Sequence, residues 1–150
     1  MSSTDHTNYV SPLSSRYASQ AMRLNWSNEK KFSTWRRLWV ALAEAEHDLG
    51  LPVSAEQVEE LKATADDINY EAAAEYEAKL RHDVMAHVHA WGDQCPNARK
   101  IIHLGATSCY VGDNTDLILL RDGIGIIRGQ LVALIGQMRN FAEEWANLPV

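Results

Sequence analysis

The sequence predicts an all-α protein, and three observations lead to this prediction. Apolar residues recur at steps of three and four in two long stretches, one before residue 50 and one after residue 108. Between these stretches, residues that favour helix starts precede several shorter segments. Glycine and proline follow the long stretch that ends before residue 50. The second stretch is long enough to be a bundle helix, which needs partners to cover its apolar face.

The first predicted helix follows Ser27 and runs to about Leu49, because Gly50 and then Pro52 come next. Its apolar stripe is expected to be core; it consists of Phe32, Trp35, Trp39, Leu42 and Leu49. The basic residues Lys30, Lys31, Arg36 and Arg37 lie largely on the other faces, so they are expected to be solvated. Residues 1 to about 24, which include Pro12, predict an ordered loop or an extended arm.

Four further segments complete the prediction. Ser54 and Gln57 have the form of a capping box and open a helix that reaches about residue 64, and Asn69 opens another through residue 78. Residues 81–94 predict a helix that Pro96 ends, and residues 101–105 predict an extended loop. The last helix spans about 108–145; four glycines in it each cost about 1 kcal/mol relative to alanine, which allows a break near 122–125.

Composition limits the class of protein. The 150 residues, 46% of them hydrophobic, are enough for one domain with a buried core. A net charge of −6 argues against nucleic acid as a partner, since proteins that neutralise phosphates usually carry a basic surplus. The start of the sequence lacks a secretory pattern, and no apolar run is long enough to span a membrane. We therefore expect a cytoplasmic protein without membrane contact, in which Cys95 and Cys109 are reduced thiols.

Two short stretches hold the residues best suited to chemistry. Arg81, His82 and Asp83 place a fixed cation, a titratable imidazole and a carboxylate side by side, and Thr107 and Ser108 precede the last helix. The two hydroxyl residues have a plain interpretation as a helix cap and a functional one as an anion site, and both use the same free backbone amides. Together the stretches are suited to holding an anionic substrate and moving a proton.

A metal site is not predicted, although four histidines fall between residues 82 and 103. Two helical ligands of one metal need a step of three or four, whereas His87 and His89 follow His82 by five and seven residues. The second step is about 10 Å along a helix axis. We expect at least one of His87 and His89 to be a packing residue, and the role of His103 stays open.

Three blocks of sequence, taken together, resemble the adenylosuccinate lyase family. They are SPLSSRYAS at 11–19, RHDVMAHVH at 81–89 and HLGATSCYVGDNTD at 103–116. The family belongs to the fumarase/aspartase superfamily of mostly helical homotetramers, whose active sites combine several subunits. The resemblance implies an N-terminal helical domain at 1–107 and the start of the central helical bundle at 108–150. It also implies a carbon–nitrogen lyase of purine and AMP biosynthesis that needs neither metal nor organic cofactor.

The resemblance assigns roles to seven residues. Arg16 and Tyr17 would contact the substrate near its phosphate, and Arg81, His82 and Asp83 would line the same site. His82 would hydrogen-bond the substrate and could transfer a proton, while Thr107 and Ser108 would bind the succinyl carboxylates. The family's principal acid and base would lie beyond Val150, so these 150 residues are expected to be inactive alone.

Two alternatives stay open at the level of sequence. One is a non-catalytic module that binds a purine nucleotide or joins longer subunits as an assembly partner, for which an exposed apolar stripe on the last helix would be suited. The other is a sister lyase of the superfamily that acts on a different amine. The Arg16–Tyr17 block disfavours the sister lyase, because a substrate without phosphate gives that pair no partner.

Overall fold

The computed structural model describes residues 9–149, and within this range the secondary structure is helical, without strands. This confirms the all-α prediction. A short π-helix, Leu13–Tyr17, comes first. The α-helices are α1 (Gln20–Asn25), α2 (Asn28–Asp48), α3 (Ala55–Thr64), α4 (Tyr70–Leu80), α5 (Asp83–Gln94) and α6 (Ser108–Trp145). The described residues form two compact units, one made of residues 28–118 and the other of residues 9–27 and 119–149.

The core of the 28–118 unit is built on three tryptophans. Trp35 and Trp39 of α2 lie with ring centroids 6.0 Å apart, and Trp39 is 6.0 Å from Trp91 of α5. All three are buried, together with small and branched side chains from α3, α5, the turns that follow it and the start of α6. The predicted stripe on α2 is thus confirmed at Trp35 and Trp39. It is wrong at Leu49, which lies beyond the end of α2 and is 79% exposed.

Arg36 corrects the expectation that the basic residues of α2 are all solvated. Its side chain is 3% exposed, and its guanidinium donates to the carbonyls of Thr64 and Asp67 and to Oε1 of Gln94. It also lies over the Trp91 ring, 4.9 Å from the centroid. Burial lowers the pKa of Arg36 to about 10, so it stays charged at neutral pH. The sequence analysis placed it on another face than the stripe and could not show its partners, which are distant in sequence.

Local signals fixed several helix ends correctly. The capping box of α3 is present, with Ser54 Oγ accepting from the Gln57 backbone and Gln57 Oε1 accepting from the Ser54 backbone. Asn69 caps α4, which continues to Leu80. The predicted helix over 81–94 begins later, at Asp83, because Arg81 has a left-handed backbone (φ 53°) that ends α4.

The extended loop predicted at 101–105 is wrong. Residues 97–105 form consecutive tight turns, in which the Ile101 amide donates to the Ala98 carbonyl at 2.9 Å and the Leu104 amide donates to the Ile101 carbonyl at 3.2 Å. Ile101 and Ile102 are buried in the core of the 28–118 unit. Isoleucine is common in strands, so the sequence alone did not indicate a turn at this pair. In the structure the pair is buried while the backbone forms turns.

The other unit contains two short helices where the sequence predicted a loop or arm. Ser19 caps α1 by accepting from the Met22 amide at 3.2 Å, a signal that the sequence analysis did not use. The buried Asn25 donates to the Leu119 carbonyl at 2.8 Å. Residues 1–8 of the predicted arm lie outside the described residues.

Helix α6 is continuous from Ser108 to Trp145, so the break that its glycines would allow near 122–125 does not occur. A Cβ at Gly123 would lie 3.4 Å from Nδ2 of Asn25 and 3.6 Å from the Trp26 ring, which is ordinary van der Waals contact. Within the described residues, no helix combines the length and apolarity that crossing a membrane requires.

One face of α6 leaves large apolar side chains exposed. These are Leu117, Leu120, Ile124, Ile127, Leu131, Leu134, Met138 and Phe141, together with Val132, Ile135 and Trp145. The first eight are spaced by three, four and seven, as the sequence analysis expected of a bundle helix.

Candidate functional site

The residues Arg81, His82 and Asp83 form the junction between α4 and α5. Arg81 is the C-terminal cap of α4, with its amide donating to the Glu77 carbonyl at 2.8 Å, and His82 is the N-cap of α5. The left-handed conformation at Arg81 is uncommon for a residue with a side chain and costs about 1–2 kcal/mol. All three side chains are exposed, so a solute can reach them.

The capping interaction of His82 defines its tautomer. Nδ1 accepts from the Met85 amide at 3.4 Å and lies 3.9 Å from Oδ1 of Asp83. A neutral ring that accepts at Nδ1 carries its proton on Nε2. His82 thus presents an N–H donor to the solvent. The backbone of α5 therefore fixes the tautomer of His82.

His103 presents the same tautomer for a different reason. Its Nδ1 accepts from Nε1 of Trp39 at 2.9 Å, and because tryptophan can only donate, the His103 proton lies on Nε2. Its pKa is lowered by burial and, to a smaller extent, by the charge of His82. His103 is therefore a neutral donor held by the indole of Trp39.

The segment between His103 and α6 carries Thr107 and Ser108. Thr107 directly precedes α6 and its carbonyl accepts from the Tyr110 amide at 3.0 Å, while Ser108 is the first residue of the helix. Thr107 is exposed and Ser108 is partly exposed. The turn that leads to them depends on Gly105, whose φ of 66° favours glycine. Hydroxyls at a helix start, where the dipole is positive, suit an anion.

Arg16 and Tyr17 belong to the other unit, at the end of the π-helix. Arg16 lies over the Tyr17 ring, with Cζ 5.5 Å from the centroid, and both side chains are exposed. The π-helix is closed by the Ala18 amide, which donates to the Leu13 carbonyl at 2.7 Å. A cation and a phenol are thus held on one short ordered segment, where they could meet a phosphate.

The other two histidines between residues 82 and 103 pack against aromatic rings. His87 stacks on Phe32 with centroids 3.9 Å apart and is buried, as expected of at least one residue of the pair. His89 stacks on Tyr76 at 5.3 Å. Among the residues that the structure describes, no three histidine, cysteine, aspartate or glutamate side chains are grouped to hold a metal ion. Cys95 and Cys109 are free thiols, the first buried and the second exposed.

The sequence analysis did not predict that two residues of α2 would lie beside candidate site residues. Trp39 was assigned to the core, which is correct, but its indole also sets the His103 tautomer. Glu46 was not singled out, yet it is buried, with Oε1 3.6 Å from where a Cβ at Gly105 would lie. A usable signal existed, because Glu46 falls seven residues after Trp39 and so lies on the apolar face of α2.

The 28–118 unit contains groups that are suited to binding an anion and supplying protons. They are the Arg81 cation, the imidazole N–H donors of His82 and His103, and the hydroxyls at the start of α6. The carboxylate of Asp83 accepts from the Val84 amide at 2.8 Å and is thereby fixed at the start of α5. Groups held this way stabilise negative charge that develops on a substrate without having to reorient.

Comparison with known proteins gives a consistent set of relatives. The chain is 51% identical over 150 residues to adenylosuccinate lyase of Saccharomyces cerevisiae, which covers 97% of this chain and 31% of that protein. It is 45% identical over 130 residues to the adenylosuccinate lyase of Schistosoma mansoni, and 43% identical over 150 residues to that of Schizosaccharomyces pombe. These matches cover 87% and 97% of this chain and 27% and 31% of the respective relatives. The chain thus spans less than a third of their length. No protein-family model matches it.

Proposed function

The chain belongs to the adenylosuccinate lyase family, and from this premise we propose that it contributes substrate-binding residues to a carbon–nitrogen lyase. The reaction is elimination of fumarate from adenylosuccinate, which gives AMP, and from the succinylated aminoimidazole carboxamide ribotide of purine biosynthesis. The observation that carries the proposal is the geometry of the α4–α5 junction, where Arg81, His82 and Asp83 are all exposed and the cap to the Met85 amide leaves Nε2–H of His82 facing the solvent.

The proposed roles follow the chemistry of each group. Elimination begins with removal of a proton from the carbon beside a carboxylate, and the electron pair spreads onto that carboxylate before the C–N bond breaks. Thr107 and Ser108, at the positive end of α6, would bind the succinyl carboxylates and stabilise this charge. Nε2–H of His82 would donate to the substrate and could deliver a proton.

Four further residues have proposed roles. Arg81 and Asp83 would line the site beside His82, and the exposed pair Arg16 and Tyr17 would bind the phosphate. The left-handed backbone of Arg81 supports a role for its side chain, because a smaller residue such as glycine would adopt that conformation at lower cost. The domain assignment, 1–107 followed by the start of a central bundle at 108–150, belongs to the same proposal.

We further propose that the principal acid and base lie in sequence beyond these 150 residues, so that the isolated chain lacks lyase activity. The share of the relatives that the chain spans, 31% for the S. cerevisiae protein, supports this. The exposed apolar face of α6 supports a homotetramer in which neighbouring helices cover it. The proposed enzyme is cytoplasmic and uses no metal and no organic cofactor.

The first test is cleavage of adenylosuccinate by the natural gene product that contains this chain, compared with His82→Asn and His82→Ala variants. Asparagine is a good N-cap, so His82→Asn keeps the start of α5 while removing the imidazole. We expect kcat/KM to fall about 100-fold or more in both variants, the usual loss for a group that donates to a reacting substrate. Absorbance spectroscopy follows the conversion to AMP.

The matched control is Asn69→Ala, which removes the cap of the neighbouring helix α4 without changing the site. It is expected to lower stability by about 1 kcal/mol and to leave kcat/KM nearly unchanged. Full activity of His82→Asn would contradict the assigned role of His82. No cleavage by the folded, unaltered gene product would contradict the proposed function itself and favour a binding module or a sister lyase.

A further inference from the structure

Helix α2 contacts the segment that carries Thr107 and Ser108 at three places. Trp39 donates to His103 at the start of this segment, and the Leu38 carbonyl accepts from the hydroxyl of Tyr110 at its end, at 3.0 Å. Between these two anchors, Oε1 of Glu46 lies 3.6 Å from the position that a Cβ at Gly105 would take. The segment is thus fixed at both ends by hydrogen bonds to α2, and a buried carboxyl group borders its middle.

Glu46 is an unusual residue for such a position. Its side chain is 7% exposed, and Oε2 is buried without a hydrogen-bond partner among the described residues. Burial raises the pKa of Glu46, and its charge also acts on Tyr110. Burying a carboxyl group without a partner destabilises the folded state. If this position served packing alone, an apolar side chain would occupy it at lower cost in free energy.

We propose that Glu46 is a positioning residue that holds the Gly105 turn, and through it Thr107 and Ser108, in the geometry that binds the carboxylates of the substrate. The inference rests on the proposed function and adds a residue to it. Glu46 itself does not contact the substrate in this proposal. It acts through the backbone of the turn.

The reason is the conformation of Gly105. Its φ of 66° is accessible to glycine but is one of several wells that this residue can occupy, so the turn needs an external contact to select it. Oε1 of Glu46 borders the side of the turn on which a Cβ of Gly105 would stand, 3.6 Å from that position. Removing it leaves space into which the turn can relax, and a displacement of about 1 Å is enough to weaken a binding site substantially.

The effect is expected to be specific for one part of the substrate. Thr107 and Ser108 are assigned to the carboxylates, whereas Arg16 and Tyr17 are assigned to the phosphate. Loss of Glu46 should therefore weaken the binding of fumarate and leave the binding of AMP unchanged. A loss of stability alone would change the affinities for fumarate and AMP alike, or would change neither.

The experiment measures product inhibition of the full-length gene product. In Glu46→Ala we expect the inhibition constant of fumarate to rise about tenfold, while that of AMP stays within about twofold of the parent. Asp48→Ala is the matched control, because Asp48 lies on the same helix and is exposed. It should change neither constant.

Two further variants separate position from charge. Glu46→Gln keeps the length and an oxygen beside Gly105, so it should restore fumarate inhibition to within about threefold of the parent. Glu46→Asp keeps the charge but withdraws it by one methylene, so it should behave like Glu46→Ala and substitutes for it if the alanine variant does not fold. Unchanged fumarate inhibition in the folded alanine or aspartate variant would overturn the proposal.

A second readout does not depend on catalysis. Amide hydrogen exchange at residues 103–110 of the same gene product should become at least tenfold faster in Glu46→Ala and stay unchanged in Asp48→Ala. If the unaltered protein cleaves no adenylosuccinate but the exchange result holds, the proposed function fails while the support of the turn by Glu46 stands. Unchanged exchange in a folded Glu46→Ala variant would overturn that support.

Discussion

Replacing Arg36 with alanine should lower the free energy of unfolding by about 3–5 kcal/mol. The guanidinium is 3% exposed and makes three hydrogen bonds, two of them to the backbone carbonyls of Thr64 and Asp67. Alanine would leave these buried acceptors without their donor and would also open space against the Trp91 ring. Urea unfolding followed by tryptophan fluorescence measures the change.

The neighbouring Arg37 provides a matched control on the same helix. Its side chain is 66% exposed, and it lies 3.8 Å from an even more exposed carboxylate of Asp66. An exposed pair of this kind contributes little, so Arg37→Ala should change the free energy of unfolding by less than about 0.5 kcal/mol. Equal losses in the two variants would show that the hydrogen bonds of Arg36 do not stabilise the fold as described.

The contrast between these two arginines shows how far the sequence could predict the fold. Helices α2, α3 and α4 follow from signals within a few residues, namely apolar steps, the Ser54 capping box and the Asn69 cap, and all three are confirmed. The burial of Arg36 depends on carbonyls at the end of α3 and beyond it. Local periodicity gives the face of a residue, but a partner distant in sequence decides whether a charge on that face is buried.

In the candidate site, too, the features that depend on neighbouring residues could be predicted, and those that depend on distant residues could not. Arg81, His82 and Asp83 are adjacent in sequence, so their proximity could be predicted, and the motif blocks led to the family that the relatives confirm. The His103 tautomer could not be predicted, because it is set by an indole on another helix. The left-handed Arg81 was also missed, since nothing in its sequence neighbourhood favours that conformation over a continued helix.

Helix α2 links stability to the site. The same helix that supplies Trp35 and Trp39 to the core also holds the His103 ring and the Tyr110 hydroxyl. A substitution that shifts α2 should therefore alter both the free energy of unfolding and the geometry of the site. For this reason the variants at Glu46 and His82 are each paired with a structural control.

Acid should destabilise the protein through His87. Burial, followed by the positive charges of Arg36 and Lys31, lowers the pKa of His87 to about 4, and Asp83 opposes this only in part. In the unfolded chain the pKa is about 6.5, so between pH 6.5 and 4 the unfolded state binds a proton that the folded state does not. The stability is therefore fully present above pH 6.5 and is lost as the pH falls. The loss from this residue reaches about 3 kcal/mol at pH 4.

A non-titrating residue at position 87 isolates this contribution. His87→Leu keeps an apolar side chain against Phe32 and should unfold with a free energy that depends less on pH between 6.5 and 4. His87→Phe serves as a second replacement, because it retains a ring for the stack and guards against a cavity effect. The informative quantity is the difference between parent and variant as a function of pH, since all other titrating groups cancel in it. That difference should change by about 3 kcal/mol over the interval, and parallel curves would show that His87 is as easily protonated in the folded protein as in the unfolded chain.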